Sequence, residues 1–298
     1  MQFTKYHALG NDYLVVEERD AGERLHPRAV QRVCARHFGL GGDGILVRVA
    51  DPAPGQFALR IFNSDGSEAK KSGNGLRIFS CYLWDQRAVG LDPFVVHTPG
   101  GQVTCRVHDG GRIVTVDMGR VAFHSHEVPV VGPPREVIQE PLTVGGHALR
   151  YTAVSIGNPH CVIIRDSVSA EEACKLGPLV ETESCFPGHT NVQFVEVLDR
   201  SSLRIEIWER GVGYTLASGT SSCASAAVAR RLELCDAEVT VHMPGGELAI
   251  EVSPTYDVRM TGPVARVAEG RISEELFEAE LPPGALPPLP ADVPEPSP

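Results

Sequence analysis

ASGTSSCASAAVA at positions 217–229 decides how this chain is read, together with its earlier counterpart KSGNGLRIF at 71–79. Both open on Ser-Gly, add a small polar residue and run on into residues that suit a helix. Serine is a good N-cap, and a glycine just after it lets the backbone approach a ligand closely. The first turn of a helix offers unpaired N–H groups and the positive end of the dipole, which together hold an anion such as a carboxylate. One such terminus is ordinary. Two, one in each half, suit a small acid held where the halves meet, a favoured place for small-molecule sites. The alternative is that both serines are plain caps.

Outward from these two points the chain repeats one programme. Residues 3–18 read as strand, turn and strand around Gly-Asn-Asp, and 27–38 have helical periodicity with Val30, Val33, Cys34 and Phe38 on one face. Short strands are expected at 44–49 and 57–63, then a long polar loop, a helix over 75–86 and β-rich stretches at 94–98, 102–108 and 112–117. A similar order restarts near 118. Strands are expected near 126–131, 140–144, 147–157 and 161–164, then a helix at 169–178 and strands at 191–199 and 202–209. The second glycine loop then leads to a helix near 220–233 and strands at 238–242, 247–252 and 256–261. This is a weak internal repeat, and it predicts an α+β fold of two similar domains. From 280 the chain reads ELPPGALPPLPADVPEPSP, a composition expected to be disordered and partly polyproline.

Composition narrows the function. The chain has 298 residues, 42% hydrophobic, and a formal net charge of -11. That is ample for a buried core, and no basic stripe is present, so a nucleic-acid partner is not expected. No run of 18 apolar residues and no secretory pattern appears, so neither a membrane nor an export route is expected. The eight cysteines lack CxxC and metal spacing and read as reduced, buried thiols of a cytoplasmic protein.

Polar residues gather around the two openings. Asn11, Asn63, Asn158 and Asn191 stand in the motifs GND, FNSDG, GNPH and TNVQF, and Glu209-Arg210 precedes the second glycine loop. Any one Asn in a turn is unremarkable. Together they form a set of donors and acceptors in which Arg210 can pair with a carboxylate and Glu209 with an amine. His160 can orient or tune a neighbouring acid or base, or be a structural histidine.

HALGNDYLVV, FNSDGSE, SGNGLRIF, SIGNPHCV, TNVQFVEV and WERGVGYTLASGT, in this order, resemble the diaminopimelate epimerase family over residues 1 to roughly 275. The resemblance implies two similar domains, each a barrel-like sheet around a central helix, with a C-terminal strand returning to the first. The domains would be 1–117 with 263–276, and 118–262, followed by the tail 280–298. It implies interconversion of LL- and meso-diaminopimelate by two-base α-proton transfer, without pyridoxal phosphate or metal, in lysine and cell-wall precursor synthesis. The partner implied is a small amino acid, and a homodimer is kept as an option. The binding groups implied are Asn11, Asn63, Gly73, Asn74, Asn158, Asn191, Glu209, Arg210, Gly219 and Thr220.

In that family two cysteines face the substrate α-carbon from opposite sides. Their positions are Ser72 and Ser218 here, with His160 and Glu209 as the residues that tune them. An alcohol is a far weaker acid than a thiol and needs activation. Three explanations compete: a serine variant that still moves the proton, on diaminopimelate or another amino acid as racemase or dehydratase; an inactive amino-acid-binding paralogue; or deliberate replacement of both cysteines. Tyr214, where the family usually has Glu, Ser221-Ser222 in place of Gly-Ala, and Gly44, where some members have Gln, also differ. Deliberate replacement would leave these neighbours alone, which favours natural divergence.

Overall fold

A two-residue turn, Leu9–Gly10, with φ of 56° and 88°, starts the fold. Both values lie in the left-handed region that a tight hairpin demands. The turn therefore falls before the Gly-Asn-Asp centre read from sequence, and Asn11 already opens the second strand. In the computed structural model the described residues are 1–278, 281, 282, 284–290 and 293. The chain divides into two units, Met1–Val116 with Pro263–Pro298, and Asp117–Gly262.

The first unit opens with β1 (Gln2–Ala8) and β2 (Asn11–Glu17), then α1 (Glu18–Ala21), α2 (Pro27–Cys34), β3 (Gly44–Ala53), β4 (Gln56–Asn63) and β5 (Glu68–Ala69). α3 (Gly73–Asp85), β6 (Phe94–Thr98), β7 (Gly101–His108) and β8 (Ile113–Arg120) follow. β2 runs parallel to β3 and β4 parallel to β6, while β1–β2, β3–β4, β6–β7 and β7–β8 are antiparallel. β7 shows the alternation of a strand with one buried face, with Val103, Cys105 and Val107 inward. α3 is different: 11 of its 13 residues are buried. It packs on β1, β2 and β7, as a helix enclosed by a curved sheet must.

The second unit contains β9 (Glu140–Val144), β10 (His147–Ser155), β11 (Pro159–Arg165), α4 (Ala170–Glu181), β12 (Asn191–Asp199), β13 (Ser202–Glu209) and β14 (Gly213–Thr215). It continues with α5 (Gly219–Arg231), β15 (Glu238–Met243), β16 (Gly246–Val252) and β17 (Asp257–Pro263). β11 and β12 are parallel, as are β13 and β15. α5 packs on β10, β11, β12, β13, β15 and β16. Its Ser and Ala side chains are short, so strands close in on every side, and Ser221 through Ala229 are all buried.

The returning segment supplies β18 (Ala265–Arg271), antiparallel to β1, and the short α6 (Glu275–Glu278). Each unit is thus mostly sheet around one buried helix, the α+β arrangement expected.

Several expectations are corrected. α2 ends at Cys34, not 38. Ala35 turns extended, and at Gly39 a Cβ would lie 2.1 Å from Arg32 O, so the chain folds back there and leaves Phe38 exposed. Residues 126–131 form turn and bend rather than a strand, inside the loop that the isolated bridge His124↔Glu136 closes. Of the eight cysteines, Cys174 is exposed and Cys185 half-buried. The expectation for the tail 280–298 falls partly outside the described residues. Among these, no helix is long and apolar enough to cross a membrane.

Candidate active site

Ser72 is the N-cap of α3, with extended dihedrals of φ -141° and ψ 120°, and its Oγ accepts the Gly75 N–H at 3.0 Å. The Leu76 N–H goes to Ser72 O at 2.9 Å. That leaves the Gly73 and Asn74 N–H groups without a protein partner among the described residues, as helix first-turn donors are unless something caps them. Glycine at 75 permits the cap, because a Cβ there would lie 3.2 Å from Ser72 Cβ.

Behind this turn lies a polar chain. Arg77, fully buried, donates Nη2 to Asn74 Oδ1 at 2.8 Å. Asn74 Nδ2 donates to Asn11 Oδ1 at 3.0 Å, and Asn11 Nδ2 to Asp43 Oδ2 at 2.7 Å. Arg36 bridges Asp43 and Asp12, each at 2.9 Å, and Lys5 pairs with Asp12 at 2.8 Å. Burial pushes the Asp12 carboxyl up, but the two cations outweigh it and hold it below the usual carboxylate range. Asn63 on β4 stands opposite Gly44 of β3 and donates Nδ2 to Ser67 Oγ at 2.9 Å.

Ser218 repeats the device on α5 with φ -142° and ψ 124°. Its Oγ accepts the Ser221 N–H at 3.5 Å and lies 3.5 Å from Thr220 Oγ1. Ser222 donates both its N–H (3.1 Å) and its Oγ (2.9 Å) to Ser218 O. The Gly219 and Thr220 N–H groups have no protein partner among the described residues.

His160 and Asn191 are register partners on β11 and β12. His160 Nε2 contacts Asn158 Oδ1 at 3.0 Å. Burial pushes this imidazole down to about 3, with a Gln193 contact opposing the shift and the Arg210 charge adding to it. It is neutral at pH 7. The single N–H of the neutral ring lies on Nε2, donated to Asn158 Oδ1, and His160 Nδ1 and Gln193 Oε1 are both buried without a hydrogen-bond partner. Gln193 Nε2 donates to Ser221 Oγ at 3.0 Å, which links this pair to the first turn of α5.

The Glu209–Gly213 turn is held from two sides. The Arg210 N–H donates to Asn191 Oδ1 at 3.0 Å, and Asn191 Nδ2 to Pro159 O at 2.8 Å. Glu181, nearly buried, accepts the Gly211 N–H at 2.9 Å and Trp208 Nε1 at 2.7 Å. Arg210 Nη1 reaches Gly188 O at 2.9 Å. Glu209 Oε2 receives Thr215 Oγ1 at 3.4 Å. Tyr214 donates its hydroxyl to Glu206 at 2.6 Å, so it serves the strand face of Glu206 and Trp208, opposite to that of Glu209.

The structure therefore joins Asn11 to Asn74, and His160 to Asn158. Among the described residues His160 is not in hydrogen-bond contact with Ser218. Sequence reasoning missed Arg77, Asp43, Glu181 and Gln193. Of these only Arg77 left a signal, a charged residue inside an apolar helical run. Cys81, buried within α3, is pushed up to about 12 by burial. Among the described residues no group of three or more His, Cys, Asp or Glu is arranged to hold a metal ion.

The model of the family described as diaminopimelate epimerase matches residues 3–124 and 152–267. "Diaminopimelate epimerase 2" of Nostoc sp. (strain PCC 7120) is 51% identical over 280 residues, 94% of this chain and 98% of that protein. The diaminopimelate epimerase of Cyanothece sp. (strain PCC 7425) is 40% identical over 91% of this chain and 99% of its own length. Among solved structures, a hydroxyproline epimerase from Agrobacterium vitis superposes with a TM-score of 0.70 at 14% identity, over 98% of this chain and 95% of that one. A probable proline racemase from Agrobacterium radiobacter K84 gives 0.66 at 14%, over 95% of each. These two are similar in fold.

Proposed function

The chain belongs to the diaminopimelate epimerase family, a family of isomerases, and from that premise we propose that it interconverts LL- and meso-diaminopimelate with Ser72 and Ser218 in the acid–base positions. The observation that carries the reading is the equivalence of the two caps: their dihedrals are -141°, 120° and -142°, 124°. The sequence places an oxygen at each of these two matching caps.

In this reading one serine acts as alkoxide and takes the substrate α-proton, breaking C–H and forming O–H. The other delivers its hydroxyl proton to the opposite face of the carbanion and is left as alkoxide. The roles are exchanged at the end of each turnover, and charge balances. A helix N-terminus favours the anion in each case. The closer Gly75 N–H at Ser72, 3.0 Å against 3.5 Å at Ser218, favours Ser72 as the resting alkoxide. The unpartnered N–H groups of Gly73, Asn74, Gly219 and Thr220 are the donors assigned to substrate carboxylate and to the charge that develops on it. Asn11, Asn63, Asn158, Asn191, Glu209 and Arg210 complete the binding set, and His160 acts as a neutral orienting group. The reaction in this reading takes no cofactor.

A second reading, an amino-acid-binding protein without turnover, is favoured by one observation. Among the described residues Ser72 Oγ has a backbone N–H as its partner, and Ser218 Oγ a backbone N–H and a threonine hydroxyl, with no imidazole or carboxylate on either. Proton NMR in D2O with LL- and meso-diaminopimelate, beside a panel of other amino acids, separates the two. Loss of the α-proton signal that disappears in Ser72→Ala supports epimerisation. Tight binding of diaminopimelate with no exchange on any substrate overturns it.

A further inference from the structure

The described residues after α6 stay on their own unit. Arg32 Nη1 donates to Leu276 O (3.2 Å) and Phe277 O (2.8 Å), and both side chains pack on the core of Val30, Val33 and Cys34. Further on, Arg28 Nη1 donates to Pro287 O at 2.9 Å. The same nitrogen donates to Gln31 Oε1 at 2.9 Å, and Gln31 Nε2, on a side chain 2% exposed, donates to Asp65 O at 2.9 Å. A second route is apolar. Leu289 Cδ2 comes so close to Gly66 that a Cβ there would lie 3.1 Å from it and 2.8 Å from Pro27 O.

Both routes end on one loop. Asp65 Oδ1 accepts the Ser67 N–H at 2.9 Å and its Oγ at 2.6 Å, and Ser67 Oγ accepts Asn63 Nδ2 at 2.9 Å. The last segment matched by the family model ends at residue 267, and these contacts lie beyond it. Its proline content lowers the entropy lost when it docks. We propose that residues 284–290 form a strap which, through Leu289 and through Arg28 and Gln31, fixes the Asn63–Ser67 loop, so that Arg28 and Gln31 are positioning residues for Asn63.

Hydrogen exchange tests this on the whole chain, on a chain ending at residue 280, and on Leu289→Asp and Gln31→Leu. The expected result is exchange at 64–67 faster by about fivefold or more in each variant, with the amides of β3 unchanged. Loop exchange equal to that of the whole chain overturns the strap. If the shortened chain does not fold, the two point variants decide alone. A second readout rests on the proposed epimerisation: KM should rise severalfold while kcat stays within about twofold. Since the exchange experiment needs no turnover, failure of the strap and failure of the functional reading are distinguishable.

Discussion

Arg77, wholly buried on α3, donates Nη2 to Asn74 Oδ1 at 2.8 Å, and so ties a residue of the candidate site to a charge that has no access to water. Removing the acceptor leaves part of a buried guanidinium unsatisfied. Asn74→Ala should lower stability by about 1–3 kcal/mol. Asn74→Asp keeps an acceptor and adds the opposite charge, so it should cost less. Urea unfolding midpoints check both, and an Asn74→Ala midpoint equal to wild type would remove the structural half of this role.

Thiols in place of the two alcohols should raise exchange. A thiol with an ordinary pKa of about 8.5 can be poised near neutrality by a helix N-terminus, and an alcohol cannot. The double variant Ser72→Cys, Ser218→Cys should exchange the diaminopimelate α-proton about 10²-fold faster or more. Initial rates by NMR in D2O check this. Equal rates would mean that the serines are not the acid–base pair.

His160 should make the protein sensitive to acid. Its folded pKa is lowered to about 3 by burial, against 6.5 for the exposed group. Below pH 6.5 the unfolded chain takes up a proton that the folded chain refuses, so stability falls as pH drops from 6.5 toward 3. The slope approaches about 1.4 kcal/mol per pH unit from this group. His160→Gln should flatten the Tm profile between pH 6.5 and 5. A parallel profile in the variant would show that the imidazole is not the source.

Gly44 should not accept the glutamine that some family members carry there. A Cβ at this position would lie 2.2 Å from Phe62 O and 2.6 Å from the Tyr13 ring. Gly44→Gln should destabilise by about 1–3 kcal/mol or more. A thermal melt no lower than wild type would show that β3 and β4 can separate there without cost.

Thiol titration should find one fast cysteine. Cys174 is exposed, Cys185 is half-buried with its pKa raised by burial, and the other six are buried. Ellman's reagent on the native chain should modify Cys174 first, and Cys174→Ser should abolish the fast phase. Fast modification of several thiols would contradict the burial described.

Local chemistry was legible. The caps at Ser72 and Ser218, the strands at 94–98 and 191–199, and the hairpin rhythm of each half rest on residues within a few positions of one another. The end of α2 was not, because helical periodicity runs on to Phe38 while the chain is turned back by the close approach of Gly39 to Arg32 O. Tyr214 was a departure in sequence, and its meaning is a matter of which strand face it occupies.

By itself, then, the sequence determined where two helices begin with a free first turn, since capping needs only the residue before the helix and the few after it. It also determined the family, through motifs held in order along the chain. Only the tertiary structure decided what those turns rest on: Arg77 under Asn74, Gln193 between His160 and Ser221, Glu181 behind Gly211, and Pro287 above Arg28. Arg77 and Asn74 are neighbours on one helix turn, and only their burial is tertiary; the other pairs depend on partners distant in the chain or on a neighbouring strand, which local spacing does not write.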